Sequence, residues 1–122
     1  MKKIIFALCA TGLTMTGCYN DKYEELYPTG GCDLSNTTYS ATVKNIVQQS
    51  CALGGCHDAA TASSGVVLDT YAGLKAIADD GRLMQVVKHE NGVTPMPQNA
   101  AQLDACTISK LQKWVDNGAQ NN

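Results

Sequence analysis

Between Cys32 and Asn122 the chain carries only three large aromatic side chains, Tyr39, Tyr71 and Trp114. The one Phe, Phe6, and the other three Tyr, at positions 19, 23 and 27, all come earlier. A small domain so short of aromatic volume cannot build much of an apolar core from its own side chains. Domains of this size make up the deficit with a disulfide, a metal or a cofactor. The sequence is therefore expected to hold a stapling or space-filling group.

The first 17 residues read as an address. Met1-Lys2-Lys3 is a positive start, Ile4 to Ala10 a short apolar run, and Met15-Thr16-Gly17 a small-residue approach to Cys18. That run is too short to span a bilayer as a helix. Ending at a cysteine, it resembles a bacterial lipoprotein signal peptide, covering residues 1–17, in which the thiol of Cys18 is lipidated and the preceding peptide removed. Met15 stands where such signals usually carry leucine. Residues 18–31 are polar, acidic and closed by Pro28 and Gly30-Gly31, so they read as a lipidated tether. The acidic stretch also resembles the surface-export signal of some Bacteroidetes lipoproteins, a solvated linker being the simpler reading. Loss of Lys2 and Lys3 leaves 7 basic against 11 acidic residues, a net charge of about −4. No basic run points to nucleic acid. Export implies an oxidising compartment on the outer side of a bacterial membrane, where paired cysteines persist.

Residues 32–122 are expected to form one all-α domain of about four short helices, since apolar residues recur at helical spacing and alternating strand patterns are absent. Ser40 can cap a helix carrying Val43, Ile46 and Val47, ending near Ser50. Residues 51–65, rich in Gly, Ala, Ser and Thr, should be a loop. Asp69 or Thr70 can start a helix with Leu74 and Ile77, and Asp80 another with Leu83, Val86 and Val87. Gly92 to Ala101 is a second loop. Asp104 should cap a last helix with Ile108, Leu111 and Val115 on one face, ending at Gly118.

Cys51-Ala-Leu-Gly-Gly-Cys56-His57 carries the chemistry. Two cysteines followed directly by a histidine are the signature of covalent haem attachment, in which both thiols bond the porphyrin edge and the next imidazole reaches the iron. The usual gap between the thiols is two residues, and here it is four. Gly54-Gly55 offers the permissive backbone that a wider gap needs. Two other readings stay open on these residues: a short disulfide between Cys51 and Cys56, and a zinc site completed by Cys106 or His89.

The surrounding segments add a resemblance. YSATVKNIVQQSCALGGCHD (39–58), GVVLDTYAGLKAI (65–77), GRLMQVVKH (81–89), TPMPQ (94–98) and CTISKLQKWVDNGAQNN (106–122) resemble small Bacteroidetes lipoprotein cytochromes of the class I type, over residues 32–122. The resemblance implies a class I cytochrome c-like fold with one covalent haem c, bound through Cys51 and Cys56, with His57 and Met96 as iron ligands. It also implies that the first and last helices cross, which would let Cys32 and Cys106 form a disulfide. Pro95 and Pro97 restrict the backbone on either side of Met96, which suits a thioether presented from a loop. Met84 and His89 are the rivals for that role. Trp114 is expected against the haem or the helix crossing, and Arg82 or Lys88 could pair with a propionate.

The implied function is that of a monohaem, membrane-anchored one-electron carrier, not an enzyme, working with redox partner proteins of an exported electron-transfer chain. The alternatives are an open-site haem sensor or peroxidase-like protein, and a haem-free binding lipoprotein stapled by disulfides. The anchor has its own test. Cys18→Ser is expected to abolish acylation and release the protein from membranes, read by mass spectrometry and fractionation; soluble, unacylated wild-type protein would refute the lipid anchor.

Overall fold

The structure, a computed structural model, describes residues 31–122; the signal peptide, Cys18 and the tether up to Gly30 lie outside the described residues. A π-helical turn, Tyr39–Val43, runs directly into α1, Lys44–Ser50. After a long loop containing a short 3-10 turn at Ser63–Gly65 come α2, Tyr71–Asp79, and α3, Arg82–Val87. A second loop leads to α4, Ala105–Asp116. Among the described residues there is no strand, so the domain is all-α as expected. None of their helices is long and apolar enough to cross a membrane.

The first helix begins two residues earlier than Ser40 suggests. Thr38 is the cap: it is extended, and its hydroxyl accepts the Ala41 N–H at 3.2 Å. Ser40 is not a cap but one of the donors in need of an acceptor. Its N–H donates to the Asn122 carbonyl at 2.9 Å, while the Tyr39 N–H donates to the Asn122 side chain at 2.9 Å. The early start has a packing cause, because Tyr39 is buried and must be carried into the core by the helix itself.

Thr70, of the two candidates, caps α2 by accepting the Gly73 N–H. Asp80 does not cap α3 as expected. It closes α2, and Gly81, at φ +82°, sits at the start of α3. Only two residues join these helices, and the sharp reversal requires a left-handed backbone that glycine adopts without strain. The Asp80 carboxylate instead accepts the Arg82 N–H at 3.0 Å and pairs with its guanidinium at 2.7 Å. Asp104 caps α4 as expected, accepting the Thr107 N–H at 3.0 Å.

The core takes Val43 and Val47 from the first helix, Leu74, Ile77 and Ala78 from α2, Leu83, Met84 and Val87 from α3, and Leu111 and Trp114 from α4. Ile46, Ile108 and Val115 flank it, half-buried. The buried stripe of α4 is thus centred on Leu111 and Trp114, rotated from the Ile108, Leu111, Val115 face because the indole occupies the middle of the contact. α4 packs against both the π turn and α3. At that crossing the three aromatic rings gather: Tyr39 meets Tyr71 edge-on at 5.0 Å and lies 6.1 Å from Trp114. Trp114 Nε1–H donates to the Gln120 carbonyl, and the Tyr71 hydroxyl to that of Ala119, both at 2.9 Å. Cys32 and Cys106 are joined in a disulfide, their Cα atoms 5.5 Å apart, pinning the segment before the first helix to the first turn of α4.

Gly73, in α2, shows how closely the loop before this helix packs. A Cβ built there would lie 1.9 Å from the Val67 carbonyl oxygen, a backbone atom with no easy retreat. Gly73→Ala should therefore destabilise the domain by about 1–3 kcal/mol in urea unfolding, despite alanine's better helix propensity. Equal or greater stability of the variant would show that the loop yields.

Candidate cofactor site

The cysteine pair sits where α1 ends. Cys51 is the C-cap residue, buried, with its N–H bonded to the Val47 carbonyl at 2.8 Å. The four residues between the cysteines form a tight turn, closed by Cys56 N–H to Leu53 C=O at 2.9 Å and by His57 N–H to Cys51 C=O at 3.2 Å. Of the two glycines in the gap, Gly55 uses left-handed freedom, at φ +86°. Its N–H donates to the Thr61 hydroxyl at 3.2 Å, which ties the bulge to the rest of the loop. Cys51 and Cys56 are not bonded to each other: both are free thiols, Cys51 buried and Cys56 exposed.

His57 is held from two sides. Its carbonyl accepts the Leu68 N–H at 2.7 Å, and its Nδ1 lies 3.2 Å from the Val66 carbonyl. A carbonyl can only accept, so the ring proton belongs on Nδ1 and the lone pair on Nε2. This tautomer leaves the Nε2 lone pair available to a metal, with the second nitrogen fixed by a backbone acceptor.

His57 and Cys51 line a crevice of about 430 Å³. Its walls are mostly aliphatic, Val66 and Leu68 from the loop, Ile77 from α2, Leu83, Val86 and Val87 from α3, and Val93 from the second loop, with Ser63, Ser64, Thr94 and Gln98 adding polar groups. Met96 lines the same crevice. A smaller adjoining pocket of about 80 Å³ is lined by Cys51, His57 and Met96 again, together with Cys56 and Pro97. The structure thus brings Cys51, His57 and Met96 to both of two neighbouring pockets, with Cys56 at the smaller, although Met96 lies some forty residues beyond His57.

The rivals are placed elsewhere. Met84 is buried in the core, on the part of α3 that does not line the crevice. His89 does not line it either, and its Nε2 is engaged by the Met96 carbonyl at 3.1 Å. Cys106 is in the disulfide and so is removed from any zinc set. Among the described residues no group of three or more His, Cys, Asp or Glu is placed to hold a metal ion. Arg82 reaches the crevice edge, whereas Lys88 donates to the Gln112 side chain at 2.7 Å. Trp114 belongs to the helix crossing and does not line the crevice.

Sequence reading missed the Val66 carbonyl as partner of His57, and the walls Val66, Leu68 and Val93. A backbone acceptor leaves no mark in residue type, and apolar residues in loops carry no period. The residues present fit the group that the Cys-His motif implies: two unbonded thiols, an imidazole with a bare nitrogen, a thioether, and apolar walls. No protein-family model matches this chain, and no match is found among curated proteins or solved structures.

Burial, with a smaller contribution from nearby Cys56, pushes the Cys51 thiol from an ordinary 9.0 up to about 11. In protein carrying no bound group, alkylation near pH 8 should modify the exposed Cys56 well before the buried Cys51. Because the folded value is raised, the contribution of Cys51 to stability is whole below pH 9 and is lost as pH climbs towards 11. Its loss should amount to about 3 kcal/mol, and Cys51→Ala should remove that part of the alkaline decline. Equal labelling of both thiols would mean that Cys51 is not enclosed as described.

Proposed function

We propose that residues 32–122 form a class I-type c-type cytochrome domain that carries single electrons between redox partner proteins at an exported, lipid-anchored location. The observation that carries this reading is the His57 imidazole, its Nδ1 proton directed to the Val66 carbonyl and its Nε2 bare, on a crevice shared with Cys51 and Met96. The packing of the last helix against the first turn of the first helix also suits the class I arrangement.

Cys51 and Cys56 would hold the haem by thioether bonds, and His57 and Met96 would ligate its iron. A covalently held haem supplies one-electron Fe(III)/Fe(II) chemistry. Cys51, closing α1, and Cys56, at the adjoining pocket, set the two points of attachment. The adjacency of His57 to Cys56 ties the imidazole to the second of them. Val66, Leu68, Ile77 and Val86 exclude water from the centre of the crevice. Arg82 offers a cation at its edge, already neutralised in part by Asp80. With His57 and Met96 both serving as iron ligands, no ligand position would be left for O2 or peroxide, which would suit electron transfer, and a thioether would favour a higher potential than a second histidine.

Protein exported from a host with haem-attachment machinery should be coloured, heavier by one haem, and should keep its pigment through acid-acetone extraction. It should show the weak long-wavelength sulfur-to-iron band. Met96→Ala should lose that band, lower the reduction potential and bind carbon monoxide or cyanide. A colourless protein would sink the cytochrome reading and leave a disulfide-stapled binding lipoprotein. High-spin iron in the wild type would instead mark an open-site sensor or peroxidase.

A further inference from the structure

The last turn of α3 contains a residue whose type is at odds with its backbone. After the C-cap Lys88, the His89 N–H bonds to the Val86 carbonyl at 3.3 Å and the Glu90 N–H to the Gln85 carbonyl at 3.0 Å. This is the Schellman ending, whose left-handed residue is usually glycine. Two of the other three α-helix ends carry glycine there, Gly81 after α2, at φ +82°, and Gly118 after α4, at φ +85°, while α1 ends at Cys51 without a left-handed residue. At the end of α3 the residue is His89, at φ +54°, where a side chain carries a steric cost. Ala62, Ser64, Asn99 and Ala119 share this left-handed backbone, so the use of His89 is read from its contacts.

Met96 lies seven residues beyond His89, and both of its backbone polar groups are held by the end of α3. Its N–H donates to the Val86 carbonyl at 3.0 Å, and its carbonyl lies 3.1 Å from His89 Nε2. Since a carbonyl only accepts, Nε2 carries the proton and is a donor, with no lone pair there for a metal. The Gln102 side chain, donating to the Val87 carbonyl at 3.3 Å, ties the far end of the same loop to the same turn. With its main chain clamped, Met96, which lines the crevice, has only its side chain left to place.

We infer that His89 is a positioning residue for Met96: its Nε2–H holds the Met96 carbonyl, locking the loop so that the thioether is presented to the crevice. The assignment of the thioether as an iron ligand rests on the function proposed above; the clamp itself does not. It also moves His89 from rival ligand to support of the ligand.

Replacing His89 by glycine separates the clamp from the fold, because glycine relieves the left-handed strain while deleting the donor. His89→Gly, His89→Gln and wild-type full-length protein would be compared in melting temperature, in hydrogen exchange at the Met96 amide, and in the sulfur-to-iron band. The glycine variant should melt at or above the wild-type temperature. Its Met96 amide should nonetheless exchange about five- to tenfold faster, the equivalent of one lost hydrogen bond, and its sulfur-to-iron band should weaken. Glutamine, with an N–H donor of similar reach, should restore both. Unchanged exchange in His89→Gly, or glutamine behaving like glycine, would overturn the inference, as would a wild type ligated by two histidines. If the protein proves colourless, the haem reading fails alone, and the Met96 exchange rate still decides whether His89 clamps the loop.

Discussion

Tyr39, Tyr71 and Trp114 meet at the crossing of the first and last helices, and no other side chain of their size is left for the rest of the domain. Close packing in protein interiors leaves little tolerance for unfilled volume. The opposite part of the fold is therefore walled by valine, leucine and isoleucine around a crevice, and it cannot close over that space with aromatic mass. The disulfide between Cys32 and Cys106 strengthens the aromatic end. Cys51, His57 and Met96 line that crevice, away from the aromatic crossing.

How the site is built follows from backbone hydrogen bonds more than from side-chain contacts. Two carbonyls settle the chemistry of the two histidines in opposite ways. Val66 takes the Nδ1 proton of His57 and leaves Nε2 bare, whereas the Met96 carbonyl takes the Nε2 proton of His89 and so denies that nitrogen to a metal. The chain holds only these two histidines, and a neighbour's backbone decides which ring nitrogen of each keeps its lone pair. The Cys51 thiol, buried and hard to ionise, and the exposed Cys56 thiol differ for a similar reason: the first closes a helix inside the core, and the second stands on a turn outside it.

Much of the frame was legible in the residues. The period of Val43 and Val47, of Leu74 and Ile77, and of Leu83 and Val87 predicted helices that the structure contains, because one buried face imposes that spacing. Cap residues were read less securely. Ser40 lost to Thr38, and Asp80 to Gly81, since several residues near a helix start can accept an N–H and the choice falls to whichever lets the core residues face inward. The Ile108, Leu111, Val115 face was off by a fraction of a turn, for periodicity weighs apolar residues equally while packing centres on the largest, Trp114.

The sequence by itself determined the class of the fold and the adjacency of Cys56 to His57, because both are local: helical period and covalent neighbourhood need no long-range partner. Only the tertiary structure decided that Met96 and His57 share a crevice while Met84 lies in the core, that Cys32 lies 5.5 Å from Cys106 in Cα distance, and that His89 holds a loop. Each of these depends on which helix faces bury against which, and that is a property of the packed whole.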